Sequence, residues 1–348
     1  MAEQRRAVAL ISGGLDSMLA AKVIMDQGID VEGVNFYTGF CVEGHTHALR
    51  RTEQDRQKRN NALWVAQQLG IKLHIVDVIE EYKDVVLNPK HGYGAANNPC
   101  LDCKIFMVKK AQAWAFMQAH QFDFIITGEV MGQRPMSQRK QTLPLIATES
   151  GVEDRLLRPL SAKHLPATLP EREGWVDRTK LHAFHGRNRK PQIALAKQLG
   201  ISDWSQPSGG CCFLTNAQYS SKLSDLWTSR GQRNYELDDI MLLKVGRHIR
   251  PVSKFKVIVG REEGENKFLE GYKNTFISLL PLSHRGPFAL IDGSADAQGV
   301  QLAVSILGRY SQGRDDALFT ARVRHPDGAE QEVSAKPASA DDVISWHV

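Results

Sequence analysis

The sequence has no apolar run approaching the roughly 18 residues of a membrane helix, and its mean hydropathy is −0.33. It has no internal repeat and no long low-complexity tract. Hydrophobic residues make up 42% and charged residues 24%, which sets aside disordered, collagen-like and coiled-coil chains. The opening Met1-Ala2-Glu3-Gln4-Arg5-Arg6 runs straight into a strand-like segment and leaves no room for a signal peptide. A cytoplasmic location without a membrane partner is therefore expected. Cysteine is scarce and odd in number, five in all, which argues against a disulfide framework. Charge is almost balanced: 44 Lys and Arg against 39 Asp and Glu, a net +5, which permits a nucleic-acid partner without arguing for one.

The 348 residues suffice for two or three domains. Val8 to Ile11 reads as a strand that ends in a glycine turn. An amphipathic stretch from Met18 to Gln27 follows, stopped by Gly28. Strands are expected at Val31–Phe36, Lys72–Val78 and Phe122–Thr127, with helix-forming stretches at Arg50–Leu69 and Ile105–His120 between them. This alternation predicts a doubly wound parallel α/β sheet, with ligands beyond the carboxyl ends of its strands. After about residue 150 the pattern breaks at Pro159, Pro166 and Pro170. Arg178 to Gly200 contains six basic and no acidic residues, and Pro191 to Leu199 within it has helical spacing. Beyond residue 235, strands are expected at Ile240–Leu243 and Phe255–Val259, and a helical turn at Glu262–Tyr272. The polar stretch Ala329–Val348 is expected to be loosely held. The expected division is a nucleotide-binding domain over 1–160, a basic connecting segment over 161–234, and a smaller α+β domain over 235–348.

Three motifs carry chemistry. In Ser12-Gly13-Gly14-Leu15-Asp16-Ser17 the glycines let backbone approach an anion, the following helix N-terminus offers free N–H groups, and the two hydroxyls add donors. The plain alternative is a strand-to-helix turn that binds nothing. Asn98-Pro99-Cys100-Leu101-Asp102-Cys103-Lys104 places two thiols three positions apart at a helix opening, where their pKa values would fall. The pair alone is open between zinc, a redox couple and an iron–sulfur cluster. In Pro207-Ser208-Gly209-Gly210-Cys211-Cys212-Phe213-Leu214, glycines precede two further thiols. Three thiolates with an open fourth position would suit a 4Fe–4S cluster, although spacing does not establish one. Cys41 is read as incidental. His45, His47, His182 and His185 show no obvious third ligand and are read as polar loop residues.

The first motif resembles the pyrophosphate loop, S-G-G-x-D-S, of the N-type ATP pyrophosphatases (the PP-loop superfamily, of adenine nucleotide alpha hydrolase-like fold). That likeness implies an ATP site at Ser12, Gly13, Gly14, Asp16 and Ser17, with Asp16 holding Mg²⁺ and pyrophosphate; Asn35 and Gly128, which fall beyond the carboxyl ends of their strands, are expected to line it as well. The segment from Cys100 to Met107, with Thr127-Gly128-Glu129 through Gln133 and Ser137-Gln138, resembles the 4-thiouridine synthetases. Asn98-Pro99 to Cys103, with Gly210-Cys211-Cys212-Phe213, resembles the tRNA 2-thiouridylases and places Cys212 at their second sulfur-handling cysteine. The C-x-x-C with a distant cysteine resembles the cluster-dependent branch, which implies Cys100, Cys103 and Cys212 as metal ligands. Lys104 is implied to act near the uridine or phosphate. The basic residues Arg178, Lys180, Arg187, Arg189, Lys190 and Lys197 either contact tRNA phosphates or form a solvated face.

Val257-Ile258-Val259-Gly260-Arg261, with Glu265-Asn266 and Leu269, is similar to the start of the NFACT-type RNA-binding domain. An ordinary α+β accessory domain is its alternative. Together these resemblances imply an ATP-dependent tRNA sulfurtransferase that adenylates a uridine carbonyl oxygen and replaces it with sulfur. The implied partners are tRNA and a sulfur donor, either free sulfide or a cysteine desulfurase, and a homodimer is compatible. The alternatives are thiolation through a persulfide without a cluster, an amide-forming PP-loop ligase acting on a small molecule, and a non-catalytic RNA-binding protein stapled by zinc.

Overall fold

The computed structural model describes residues 4–41, 60–116, 121–204 and 212–348. By contact the chain divides into two compact units, residues 1–38 with 59–211 and residues 39–58 with 212–348.

The first unit is built on a five-stranded sheet of order β3-β2-β1-β4-β5. Its strands are β1 (Arg6–Leu10), β2 (Asp30–Tyr37), β3 (Leu73–Asp77), β4 (Phe124–Ile126) and β5 (Leu156–Leu157), all parallel. β1 lies at the centre, and the pleat divides its side chains between two cores. Ala7 and Ala9 face one core with α1 (Leu15–Met25), and Val8 faces the other with Val34 and Ile125. α1 is apolar on almost every side because its core and the sheet surround it: Leu15, Met18, Leu19, Ala20, Ala21, Val23 and Ile24 are all buried. The helices α2 (Asn61–Leu69), α3 (Ile79–Leu87), α4 (Cys100–Phe116), α5 (Thr142–Ser150), α6 (Leu169–Arg172) and α7 (Lys190–Gln198) complete this unit. The order reverses at β1, whose neighbours are β2 on one side and β4 on the other. In doubly wound sheets, the crevice beyond the carboxyl ends at such a reversal is where ligands bind. The glycine turn after β1 and Thr127-Gly128-Glu129 after β4 both stand there.

The second unit contains a six-stranded antiparallel sheet of order β11-β10-β8-β9-β7-β6. Its strands are β6 (Arg247–Val252), β7 (Phe255–Val259), β8 (Ile277–Pro281), β9 (Ala289–Gly293), β10 (Phe319–Arg324) and β11 (Glu330–Ala335). Its helices among the described residues are α8 (Ala217–Arg230), α9 (Leu237–Leu242), α10 (Glu263–Glu270), α11 (Ala297–Arg309) and α12 (Ala340–Ser345). α11 packs Val300, Ala303, Val304 and Leu307 against Phe255, Val257, Leu279 and Phe319 of the sheet.

Two expectations are corrected here. Ile240–Leu243 is not a strand, because Ile240 and Leu242 lie in α9. A capping box between Glu236 and Asp239 starts that helix, and a four-residue apolar run carries no periodicity of its own. Ala329–Val348 is not loosely held. Glu330 to Ala335 pair in full register with β10, and Val343 of α12 is buried. The stretch reads as polar because β11 is an edge strand with most of its side chains exposed. Of the Arg50–Leu69 helix, only α2 falls within the described residues; His45, His47, the Pro207–Gly210 loop and Cys211 lie outside them.

Candidate active site and arginine-lined cleft

The turn after β1 depends on its glycines. Gly13 has φ +79°, and a Cβ there would lie 2.6 Å from Asn61 Cβ and 2.8 Å from the Ala62 nitrogen. α1 begins without a side-chain cap, so its first N–H groups are left for a ligand. Ser17 Oγ donates to the Gly14 carbonyl at 2.9 Å and lies 3.3 Å from both the Ser12 N–H and the Ser12 hydroxyl. Gly128 presses against this helix start: a Cβ would stand 2.5 Å from Asp16 C and Ser17 N. Asn35 donates to the Ile11 carbonyl at 2.6 Å, so it fixes the end of β1 from β2.

Asp16 is the centre of a polar network. Its Oδ2 accepts from Gln133 Nε2 at 2.7 Å, and Gln133 in turn accepts from Gln192 Nε2 at 2.9 Å. Arg189 places a guanidinium nitrogen 3.6 Å from Asp16 Oδ1. Asp16 Oδ1, Arg189 Nε and Gln192 Oε1 are buried with no hydrogen-bond partner among the described residues. Buried polar atoms are normally satisfied, so three orphans in one network mark a place for a polar, charged ligand. A magnesium–triphosphate group fits these atoms. The structure thereby gives Arg189 a place in the loop's network, and it adds Gln192, which sequence reasoning missed. The only sign of Gln192 in the sequence was its position in the first turn of the Pro191–Leu199 helix. The 178–200 stretch reaches the site through backbone, with Gly186 donating to the Met131 carbonyl at 2.7 Å. Ser137 and Gln138, by contrast, are buried.

A charged pair underlies the same loop. Glu129, only 2% exposed, accepts from Arg158 Nε and from Thr127 Oγ1, each at 3.0 Å. Burial by itself would raise the Glu129 carboxyl, but the Arg158 and Lys104 charges and the hydrogen bonds from Arg158 and Thr127 hold it below the usual carboxylate range. The charge of Lys104 thus bears on Glu129.

Cys100 opens α4, and Asn98 Nδ2 donates to its sulfur at 3.2 Å. Cys103 lies in the first turn and donates its N–H to the Pro99 carbonyl at 2.7 Å. Asp102 accepts from the Lys90 and His91 N–H groups, each at 3.0 Å, and so anchors the loop leading into the pair. Both cysteines are half-buried in the first unit. Cys212 belongs to the second unit, where it stands opposite Cys41 in an antiparallel bridge. Beside that bridge Phe40 is fully buried and meets Tyr219 and Tyr235 edge-on. Lys244, 5% exposed, donates to the Gly39 carbonyl and lies over the Phe213 ring at 5.3 Å. Burial lowers its ammonium to about 8 against the opposing influence of Cys41. Thiolate chemistry suits an iron–sulfur cluster. Among the described residues, however, no group of three or more His, Cys, Asp or Glu side chains could hold a metal ion, so no step is derived through a cluster.

The second unit also carries a cleft of about 1020 Å³ lined by Arg247, Arg261, Arg285, Arg309 and Arg314. Its wall is held by the Gly260–Asn266 segment. Glu265, buried, accepts from the Arg261 N–H at 2.8 Å and pairs with its guanidinium. Asn266 Oδ1 accepts from the Phe288 N–H at 3.1 Å, and Gly260 leaves the room that Asn266 needs, since a Cβ there would lie 2.1 Å from that oxygen. Glu262 and Glu263 line the cleft too, so its charge is mixed with a basic excess.

The sheet order and the glycine loop at its reversal give the first unit the layout of a doubly wound α/β domain with a glycine turn at its switch point. Residues 5–154 match the family described as tRNA methyl transferase HUP domain, and residues 246–347 match the NFACT protein RNA binding domain. The chain is 25% identical over 286 residues to the tRNA-specific 2-thiouridylase MnmA of Mesoplasma florum, covering 78% of this chain and 71% of that protein. It is 40% identical over 83 residues to the tRNA-specific 2-thiouridylase MnmA of Acholeplasma laidlawii, with 22% of each chain covered. Among solved structures, a 4-thiouridine synthetase–RNA complex with bound ATP matches at 21% identity and TM-score 0.33, covering 57% of this chain and 52% of that one. In sequence the chain thus resembles the tRNA-specific 2-thiouridylases, and a segment later in the chain matches the NFACT protein RNA binding domain.

Proposed function

We propose that this protein is an ATP-dependent tRNA sulfurtransferase that makes a thiouridine. The observation that carries this reading is the Asp16–Gln133–Gln192–Arg189 network, which aims unsatisfied polar atoms into the crevice beyond β1 and β4. The backbone of Ser12 to Ser17 cradles the β- and γ-phosphates of ATP. Asp16 would hold Mg²⁺, whose charge offsets that of the pyrophosphate as it leaves. The uridine carbonyl oxygen attacks the α-phosphorus and the base is adenylated, so that AMP becomes the leaving group in place of an oxygen that leaves poorly. Lys104, Asn35 and Gly128 shape the nucleotide side of the pocket. Sulfur reaches the activated carbon from a cysteine persulfide, with Cys212 as the carrier and a second thiol, Cys100 or Cys103 in the family-derived scheme, completing the transfer. The arginine-lined cleft holds tRNA backbone. ATP and tRNA are the substrates, and a desulfurase or free sulfide supplies sulfur.

Mass spectrometry of tRNA nucleosides from a deletion strain tests this. One thiolated uridine is expected to disappear and to return with the wild-type gene but not with Asp16→Ala. Unchanged nucleosides would reject the reading. A second reading places a 4Fe–4S cluster on Cys100, Cys103 and Cys212, and the helix-opening Cys100–Cys103 pair is what favours it. Anaerobically purified, brown protein with about three to four irons per chain would support it. An amide-forming ligase would instead release pyrophosphate with ammonia or an amino acid and no tRNA.

A further inference from the structure

We propose that Cys41, which no motif singled out, is the thiol that resolves the sulfur carried on Cys212. Cys41 and Cys212 stand directly opposite each other in an isolated antiparallel bridge of the second unit. The Phe213 N–H donates to the Phe40 carbonyl at 3.0 Å, one residue outside the pair. A bond that flanks the pair rather than joining its two residues identifies the narrow, non-hydrogen-bonded kind of pairing, with Cα atoms about 4.5 Å apart. That falls inside the roughly 4.4–6.8 Å window a disulfide needs, and both side chains project to the same face. The setting is built rather than incidental. Phe40 is fully buried against Tyr219 and Tyr235, Thr215 Oγ1 bonds the Cys212 carbonyl at 2.8 Å, and the Lys244 ammonium sits on the Gly39 carbonyl two residues before Cys41.

The step rests on the sulfurtransferase reading above, and it balances. A persulfide-bearing protein donor places sulfane sulfur on Cys212. The terminal sulfur attacks the adenylated carbon, the C–O bond breaks, and AMP leaves with the oxygen. The base is then joined to Cys212 through S–S. The Cys41 thiolate attacks Cys212 Sγ, and the bond to the base sulfur breaks. That sulfur departs with the electron pair as the thiocarbonyl, and the base nitrogen takes up a proton. The sulfane sulfur has been reduced to the sulfide level, and two thiols have been oxidised to a disulfide. An external thiol reductant resets the enzyme.

The test is one turnover by the full chain with ATP, Mg²⁺, unmodified tRNA transcript and a cysteine desulfurase charged with cysteine, reductant withheld. Alkylation and non-reducing peptide mapping follow. The expected result is a Cys41–Cys212 linked peptide formed in proportion to thiouridine. In C41S, folded by its melting profile, released thiouridine falls at least about tenfold and a tRNA–Cys212 adduct accumulates that dithiothreitol releases. In C103S, whatever thiouridine is made is matched by a Cys41–Cys212 link. Thiouridine made while Cys41 stays fully alkylatable, as a cluster-based transfer would give, overturns the proposal, as does a Cys103–Cys212 link. Wild type that makes no thiouridine under any sulfur supply overturns the sulfurtransferase reading itself, a result distinct from the other two.

Discussion

At the scale of single residues, the site is a set of charges whose partners are incomplete. Asp16 commits one oxygen to Gln133 and leaves the other without a hydrogen bond beside Arg189. Asp16→Ala releases Gln133 and Arg189 but empties no core position, so it should leave the fold intact while lowering pyrophosphate release by a factor of about 10² or more. Retained release would show the loop to be a bystander. Glu129 is the opposite case, a structural charge. Breaking a buried pair by removing one partner costs about 3–5 kcal/mol, so Glu129→Gln should lower the urea midpoint of the first unit markedly at neutral pH. The sign of its pH dependence follows from its depressed carboxyl. The folded value lies below the unfolded one of 4.5. The pair's contribution is thus complete above about pH 4.5 and is lost as pH falls through the folded value. Wild type should lose stability in that acid window, and the Gln variant should lack this part of the loss. Parallel acid profiles would contradict the assignment.

At the scale of elements, two loop–helix junctions depend on the absence of a side chain. Gly128→Ala would drive a methyl into the Asp16–Ser17 backbone at 2.5 Å, where nothing flexible can yield. ATP affinity, measured by calorimetry, should drop at least about tenfold while the second unit's melting stays unchanged. Equal affinity would mean that β4 and α1 are not packed as described. Much at this scale was legible in the sequence. β1 to β4 and α1 announced themselves because short apolar runs alternate with glycine stops, and the glycine loop fell at a strand end. Ile240–Leu243 misled because four apolar residues fit a strand or a helix equally, and the capping residues that decide it lie outside the run. β11 misled because an edge strand buries too little to show a pattern. The contact of Arg189 with Asp16 was illegible, since it joins residues more than 170 positions apart, and Gln192 reaches the network only through Gln133; both rest on where the 178–200 stretch lies in space.

At the scale of the whole molecule, a doubly wound unit and a unit that matches the NFACT protein RNA binding domain share one chain, and the motif Val257–Arg261 with Glu265-Asn266 pointed to that second match in the sequence. The structure adds why those residues are needed: Gly260 makes room for Asn266, and Glu265 fixes Arg261 at the wall of the cleft. Arg285 and Arg314 line that cleft and are exposed. Arg285→Glu with Arg314→Glu should weaken tRNA binding and lower the slope of log affinity against log salt by about two. An unchanged slope would place the RNA elsewhere. The most direct measurement for the account as a whole is pyrophosphate and AMP release by the purified protein with and without unmodified tRNA. Release that requires tRNA and stops in Asp16→Ala is the expected result; release indifferent to tRNA and driven by ammonia or a free amino acid would contradict it.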